Sequence, residues 1–424
     1  MLMLQDLLME KIRFEGLISV DGIRPSLFDQ FVNSTIQAVD EYTFTQVLGC
    51  EEARRQLRSH WNTWVTEADI RKLASYGLNH LRLFVFRFCR KRHVPMLTTH
   101  RTNRIPIGYW AFDKKPEEPF VQGAYLYLLK AVRWAKKYNM KVILDLHGAP
   151  GSQNGFDNSG RRGPIGWQTG DPDNIPRTIN AVKIMTKRFS CSEFKNTVTA
   201  INVLNEPASW GGNQLNVTQK FYTKSYEAVR HINSGILVVF HTAFLPLSSW
   251  DDYLSSRKFS RVVLDTHIYT VFSYELLALN QAQRINSICS NIPDILNSTE
   301  KVWTLVGEWS LADTDCTKWL NGFGRGALYD GTFGGRGPVC ATCKCQGTED
   351  YWNWTLEYRR FLLDFASAQM NAYEAGIGWI FWNFKAEASP HWNFMLGIEE
   401  GWIPLSPINR TYECNVIDAL VELS

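Results

Sequence analysis

Two glutamates, Glu206 and Glu308, stand where short apolar runs of the chain end. The run 198–204 leads into Glu206 and Pro207, and the run 302–306 leads into Gly307 and Glu308. Because proline interrupts a strand ladder, the first run predicts a buried strand that ends at its glutamate. A buried carboxylate is costly unless its charge is partnered or used. Two carboxylates on two strand ends suffice to cleave a glycosidic bond; the alternative for each is a salt-bridged surface carboxylate.

The elements that must position these glutamates follow from an alternation of strands and helices. Apolar runs predict strands at 78–83, 141–146, 198–204, 236–240, 262–264, 302–306 and 378–384, and helical patterns lie between most of them. The strand ends carry His147, Glu206, His267, Glu308 and Trp382. This pattern is typical of the α/β class and predicts a (β/α)8 TIM barrel. The first strand should precede Pro25, where 11–20 is the only candidate.

The composition bounds the possible partners. A chain of 424 residues with 45% hydrophobic content can bury the core of one large barrel. The formal charge of +3 is too small to indicate nucleic acid, and no run approaches the ~18 apolar residues of a membrane span. The 16 Trp, 16 Tyr and 24 Phe include candidates for stacking on sugar rings, although most should belong to the core.

Five sequence motifs in a fixed order relate the chain to a known family. They are IPIGYW at 105–110, DLHGAPGSQNGFDNSG at 145–160, NEP at 205–207, GEWS at 307–310 and GWIFW at 378–382. With them the chain resembles glycoside hydrolase family 5, and within it the fungal exo-β-1,3-glucanases, from about Arg24 to its C-terminus. The resemblance implies a retaining mechanism, with Glu206 as general acid/base and Glu308 as nucleophile. Such a mechanism requires carboxyls about 5–5.5 Å apart and a raised pKa at Glu206.

The resemblance also implies a set of substrate-binding residues. Asn205 would bind the sugar 2-hydroxyl, Tyr269 would orient Glu308, and Trp382 would be the sugar platform. The other expected contacts are His147, His267, Phe156, Phe272 and Asn158; for these the alternatives are structural hydrogen bonding or packing. The family arginine corresponds to Arg104, although Arg82 would serve equally if residues 83–104 were absent. No metal or organic cofactor is expected, and the partner is a β-glucan.

Residues 83–104 depart from the family pattern. They carry six Lys/Arg and no acid, and they separate Arg82 from IPIGYW. Removing them would restore one uninterrupted strand 2, so we hypothesise a translated intron or gene-model error; the alternative is a genuine surface loop. The segment 1–23 is also divergent, because EGLISVDGI replaces the family's first-strand motif. We therefore expect a degraded first strand, followed by the hydrolase barrel over 24–424.

The cysteines and the glycosylation sequons indicate in which cellular compartment the protein works. Cys340, Cys343 and Cys345 could ligate a metal, but the absence of a second pair at zinc spacing favours disulfides. The resemblance suggests pairing Cys316 with Cys414. Five Asn-X-Ser/Thr sequons, beginning at Asn33, Asn216, Asn297, Asn353 and Asn409, favour a secreted or cell-wall protein, although the N-terminus lacks a secretory pattern.

Three functions remain open from the sequence. The first is release of glucose from β-1,3-glucan ends by a retaining exo-hydrolase, acting as a monomer. The second is an endo-acting β-1,4- or β-1,6-glucanase of the same family. The third is a damaged chain that binds glucan without cleaving it.

Overall fold

Eight parallel strands close into a barrel in sequence order. The computed structural model describes residues 14–19, 25–84, 108–254, 258–405 and 409–415. The strands are β1 (Phe14–Ser19), β2 (His80–Phe84), β3 (Lys141–Asp145), β4 (Val198–Asn202), β5 (Leu237–His241), β6 (Val262–His267), β7 (Trp303–Trp309) and β8 (Gly378–Phe381). The expected (β/α)8 architecture is confirmed.

Helices connect the strands around the outside of the barrel. They are α1 (Glu41–Thr63), α2 (Glu67–Ser75), α3 (Tyr125–Lys137), α4 (Asn174–Phe189), α5 (Leu215–Ile232), α6 (Asp251–Leu254), α7 (Tyr274–Leu277), α8 (Gln281–Cys289), α9 (Ile292–Thr299), α10 (Leu356–Tyr373) and α11 (Phe394–Glu399). Among the described residues, no helix combines the length and apolarity needed to cross a membrane.

The helix before β2 shows how local chemistry sets the strand ends. Thr66 caps α2 by accepting from the backbone N–H of Asp69, whose side chain accepts in return from the N–H of Thr66. Such a capping box satisfies two N–H groups that a helix otherwise leaves unpaired. Gly77, with φ of 84°, ends the helical segment in the left-handed region that glycine tolerates. The chain then enters β2 at His80.

The barrel has two apolar layers. Inward-facing residues of successive strands fill the barrel interior, while the opposite strand faces pack against the helices. This alternation follows from the two-residue period of a strand. The inner layer consists of Ile143, Ala200, Leu237, Val239, Val263, Leu305 and Ile380.

The first strand differs from its expected degraded form. β1 pairs in parallel with β2 on one side and with β8 on the other, so it closes the barrel. Its irregularity is confined to a register shift between Phe14 and Leu17. The backbone pairing of a strand depends little on side-chain identity, which is why a divergent sequence still closes the sheet.

Strand 2 extends beyond the boundary set from sequence. Phe84, assigned above to the insertion, belongs to β2 and pairs with Asp145, as Leu83 at the shared boundary pairs with Leu144. Residues 85–107, including Arg104, lie outside the described residues. Gly108 forms a parallel bridge with Gly148, and Phe84 pairs with Asp145. Only two residues after β3 therefore lie between the partners of Phe84 and Gly108. This close spacing supports an insertion into one continuous strand, and the origin of the insertion stays a hypothesis.

Within the described residues, three disulfides fasten the second half of the barrel. They link Cys289 with Cys414, Cys316 with Cys345, and Cys340 with Cys343. The structure thus confirms disulfides rather than a metal site for Cys340, Cys343 and Cys345, but the suggested pairing of Cys316 with Cys414 is wrong. Among the described cysteines, Cys50 and Cys191 are unpaired.

We predict that a chain lacking residues 85–105 folds and keeps its activity. The deletion joins Phe84 to Pro106 and leaves two residues before Gly108, which match the two residues between Asp145 and Gly148, so the observed strand register is kept. The entropy lost in closing the intervening loop disappears. Thermal unfolding should therefore occur at the same or a higher temperature than in the full chain. A deleted chain that no longer unfolds cooperatively would instead assign these residues to the folded structure.

Candidate active site

Glu206 lies in the turn that follows β4. Its backbone has φ of 45°, in the left-handed region that a glutamate rarely occupies, and its side chain is 7% exposed. Strained residues of this kind concentrate at functional sites. One carboxylate oxygen contacts His267 Nδ1 at 2.7 Å, and the other accepts from Asn158 Nδ2 at 3.1 Å. The turn thus presents a buried acid with a defined hydrogen-bond pattern.

Glu308 lies near the C-terminal end of β7 and is 5% exposed. Arg82 Nη1 donates to one of its oxygens at 2.8 Å, and the Tyr269 hydroxyl donates to the other at 2.8 Å. Both donors favour the ionised carboxylate and fix its direction. The contact from Tyr269 matches the orienting role expected for it.

One imidazole nitrogen brings the two glutamates together. His267 Nδ1 lies 2.7 Å from Glu206 Oε1 and 3.4 Å from Glu308 Oε2. The two oxygens can therefore be no further apart than the sum of these distances. This limit applies to the nearest oxygens of the two carboxyls, and it is compatible with the separation of about 5–5.5 Å in retaining enzymes.

Arg82 occupies the centre of the site, where it is 1% exposed. Its Nη2 atom donates to Asn205 Oδ1 at 2.7 Å and lies 3.0 Å from Asp145 Oδ2, while Asp265 Oδ2 lies at 3.8 Å. Burial alone would lower the pKa of Arg82, but the charges of Asp145, Glu308 and Asp265 hold it above its usual value. Among the described residues, the arginine that contacts both Glu308 and Asn205 is Arg82, the alternative kept open from sequence.

His147 and Asn205 complete the floor beside Trp382. His147 Nδ1 contacts Asp145 Oδ2 at 3.0 Å, and its Nε2 lies 3.3 Å from Asn205 Nδ2. The His147 ring stacks on Trp382 with ring centroids 5.6 Å apart. These contacts bring His147, Asn205 and Trp382 into the same site as the glutamates, as the sequence predicted.

The remaining expected residues lie around the mouth. Asn158 contacts Glu206, while Phe156 and Phe272 are 41% and 49% exposed. Phe272 stands edge-on to Tyr269 at 5.4 Å. Phe156 belongs to an exposed aromatic group that the sequence did not single out, in which Trp210 and Phe244 lie 4.9 Å apart.

The protonation pattern reverses one expectation. Burial alone would raise the pKa of Glu206, but the hydrogen bond and charge of His267 lower it to about 2. Burial and the charge of Glu206 raise the pKa of Glu308 to about 7, against His267 and Arg82. Burial alone would lower the pKa of His267, but Glu308 and Asp265 raise it to about 10. The expected raised pKa at Glu206 is thus wrong for the substrate-free protein, because the His267 proton lies closer to Glu206.

Glu206, His241 and His267 place potential metal-ligand atoms within 4.8 Å of one another. His241 Nδ1, however, accepts a hydrogen bond from the backbone N–H of Ala243 at 3.0 Å. The ring proton must then reside on Nε2, which leaves no free lone pair on His241 for a metal. The chemistry of these donors therefore does not fit a metal site.

Sequence reasoning missed the two buried aspartates whose negative charges compensate the charge of Arg82. Asp145 and Asp265 are 0% and 1% exposed, and both face Arg82. Each stands two residues before a histidine of the site, so carboxylate-X-His at a strand end was the available signal. Gly307 permits the approach of Asp265, since a Cβ on Gly307 would lie 1.9 Å from Asp265 Oδ1.

We expect Arg82→Lys to lower kcat/KM by about 10²-fold or more, because a lysine cannot hold Asn205 and Glu308 in one planar fork. The matched substitution Arg104→Lys should leave kcat/KM unchanged. Steady-state kinetics on an aryl β-glucoside compares the two. The reverse ranking would return the family role to Arg104.

We expect His267→Asn to narrow the pH profile of kcat/KM. The acid limb moves to higher pH, because Glu308 must ionise and loses the adjacent positive charge that lowers its pKa. The alkaline limb moves to lower pH, because the catalytic proton is no longer held by an imidazole with a pKa of about 10 and must stay on Glu206 instead. A displacement of the acid limb by about 1–2 pH units fits the loss of one adjacent charge. An unmoved profile would contradict this electrostatic account.

Known proteins with similar sequences identify the family of this chain. The family model for Cellulase (glycosyl hydrolase family 5) matches residues 45–388. A glucan 1,3-beta-glucosidase of Blumeria graminis is 43% identical over 390 residues, covering 90% of this chain and 83% of the relative. Another, from Schwanniomyces occidentalis, is 39% identical and covers 92% and 85%.

A solved structure shares the fold. The rutinosidase from Aspergillus niger superposes with a TM-score of 0.65 at 20% sequence identity, covering 92% of this chain and 98% of that one. The family match, the sequence relatives and the paired glutamates at the mouth of the barrel agree: this chain belongs to glycoside hydrolase family 5.

Proposed function

We propose that this protein is a retaining exo-β-1,3-glucan glucohydrolase. The observation that carries the proposal is the shared contact of His267 Nδ1 with Glu206 and Glu308, which sets their spacing. The substrate class is supported by relatives named glucan 1,3-beta-glucosidase, at 36% to 43% identity.

In the first step Glu308 attacks the anomeric carbon of the terminal glucose. Arg82 and Tyr269 hold its carboxylate in one orientation. Glu206 protonates the departing glycosidic oxygen. The proton that it needs lies one hydrogen bond away, on His267 Nδ1 at 2.7 Å, so a single short transfer produces the acid form.

In the second step water resolves the glucosyl-enzyme. Glu206 has delivered its proton and acts as general base, so the water oxygen attacks the anomeric carbon and the bond to Glu308 breaks. Asn205, held by Arg82, is placed for the sugar 2-hydroxyl. This contact strengthens as positive charge develops on the sugar ring.

A cavity beside Trp382 is the candidate place for the end of the glucan chain. A cavity of about 250 Å³ adjoins Trp382, and its walls come from separate parts of the chain. Trp392 and Asn383 come from the segment after β8, Trp319 and Phe323 from the loop after β7, and Phe28 from the segment after β1. Neither Glu206 nor Glu308 lines this cavity, so exo action is supported chiefly by the relatives named glucan 1,3-beta-glucosidase.

Secretion to the cell wall, with glycosylation, fits the surface features. All five sequon asparagines are exposed, and three disulfides are present. Disulfides persist in oxidising compartments, and glycosylation requires exposed acceptors. Treatment of the secreted protein with an endoglycosidase should lower its apparent mass.

Hydrolysis of laminarin tests the proposal. We expect glucose as the sole early product, released first as the β-anomer, because the double displacement retains configuration. Early mixed oligomers would favour the endo-glucanase, and an α-anomer would contradict the retaining mechanism.

Glu308→Gln should lower kcat by about 10³-fold or more, because an amide is a poor nucleophile. Glu300→Gln, at an exposed position, is the matched control and should retain full activity. If the unaltered protein binds laminarin without releasing sugar, the glucan-binding remnant replaces the enzyme.

A further inference from the structure

His241, the last residue of β5, carries a buried hydrogen-bond donor that the mechanism above does not use. The side chain is 1% exposed. Its Nδ1 accepts from the Ala243 N–H at 3.0 Å, so Nε2 bears the ring proton. Within the described part of the chain, Nε2 has no hydrogen-bond partner. An unsatisfied buried donor of this kind calls for a ligand.

The donor stands beside the general acid/base. The His241 and His267 rings lie edge to face with centroids 4.4 Å apart. A ring nitrogen of His241, one of His267 and a carboxylate oxygen of Glu206 all lie within 4.8 Å of one another. Burial and the charge of His267 lower the pKa of His241 to about 3, so the ring is neutral at the pH of catalysis.

The backbone around His241 fixes the direction of that proton. Ala243 and Phe244 have φ of 55° and 60°, both in the left-handed region that side chains other than glycine rarely occupy. This turn aims the Ala243 N–H at Nδ1. On the other side, the buried Tyr222 hydroxyl donates to the His241 carbonyl at 2.7 Å. The tautomer is therefore set by structure, and strain of this kind marks functional positions.

We propose that His241 is a catalytic residue of the second step, where its Nε2–H donates to the water that hydrolyses the glucosyl-enzyme. A ring nitrogen of His241 and a carboxylate oxygen of Glu206 lie within 4.8 Å of each other, so one water placed between the two side chains can hydrogen-bond to both at ordinary lengths of about 2.7–3.2 Å. His241 holds one lone pair of that water, and Glu206 takes one of its protons. The oxygen bonds to the anomeric carbon as the ester to Glu308 breaks and its electron pair returns to the carboxylate.

This role rests on the proposed function and separates the two chemical steps. In the first step Glu206 acts on the leaving group, and no water is needed. Loss of His241 should therefore slow deglycosylation while leaving formation of the glucosyl-enzyme nearly intact. A purely structural histidine would disturb both steps together, since Glu206 and His267 serve both.

The test uses 2,4-dinitrophenyl β-glucoside, whose phenolate leaves without a proton, so that deglycosylation limits turnover. We expect His241→Ala to lower kcat by about 10²-fold, with KM falling in parallel and kcat/KM nearly unchanged. Mass spectrometry of enzyme quenched at steady state should show accumulated glucosyl adduct. His241→Asn, which retains an N–H donor, should recover part of kcat and guards against misfolding of the alanine variant.

His80→Ala is the matched control, because His80 is a buried neutral histidine at the first residue of β2, the end of the barrel opposite the site. This variant should show no such split between kcat and KM. A parallel fall in kcat and kcat/KM for both His241 variants, or no change in kcat, would overturn the role of His241. If the unaltered protein fails to hydrolyse the glucoside, the proposed function itself fails. The two results are thus distinguishable.

Discussion

The buried guanidinium of Arg82 is the interaction on which the rest of the site depends. It lies against Asp145, Asp265 and Glu308 and donates to Asn205. Burying the guanidinium without a partner would cost several kcal/mol, and burying each of these carboxylates without a partner would cost a similar amount. Together they compensate one another, and the partners come from β3, β6, β7 and the turn after β4. The arginine therefore holds the Glu308 carboxylate and the Asn205 side-chain amide in one frame.

His267 adds a second level of control, because its position rather than burial decides which glutamate is ionised. Both carboxylates are buried, and burial alone would raise the pKa of each. The shorter contact to Glu206 gives that glutamate most of the imidazolium's stabilisation, while Glu308 retains a raised pKa. In the proposed mechanism, the ionised Glu206 of the resting protein and the protonated Glu206 of the first step differ by one proton transfer from His267 Nδ1.

The loops around the mouth are held by contacts of their own. In the segment between β7 and α10, the Asp315 carboxylate accepts from the backbone of Leu328 and Tyr329, and two disulfides close shorter rings. These restraints support Trp319 and Phe323 in the wall beside Trp382. Loop backbone lacks the regular hydrogen bonds of a sheet. The walls of a pocket built from loops therefore depend on hydrogen bonds and disulfides within the loops to keep their positions.

What the sequence by itself determined was local in origin: the alternation of strands and helices, the glutamates at strand ends and the family motifs. Strand and helix periods follow from neighbouring residues, so a barrel could be predicted without coordinates. Tertiary structure alone decided that Arg82 occupies the centre, that Asp145 and Asp265 balance it, and that Cys414 pairs with Cys289. It also decided the order of the two glutamate pKa values. Each of these depends on distances across the barrel between residues remote in sequence, and no local pattern encodes such distances.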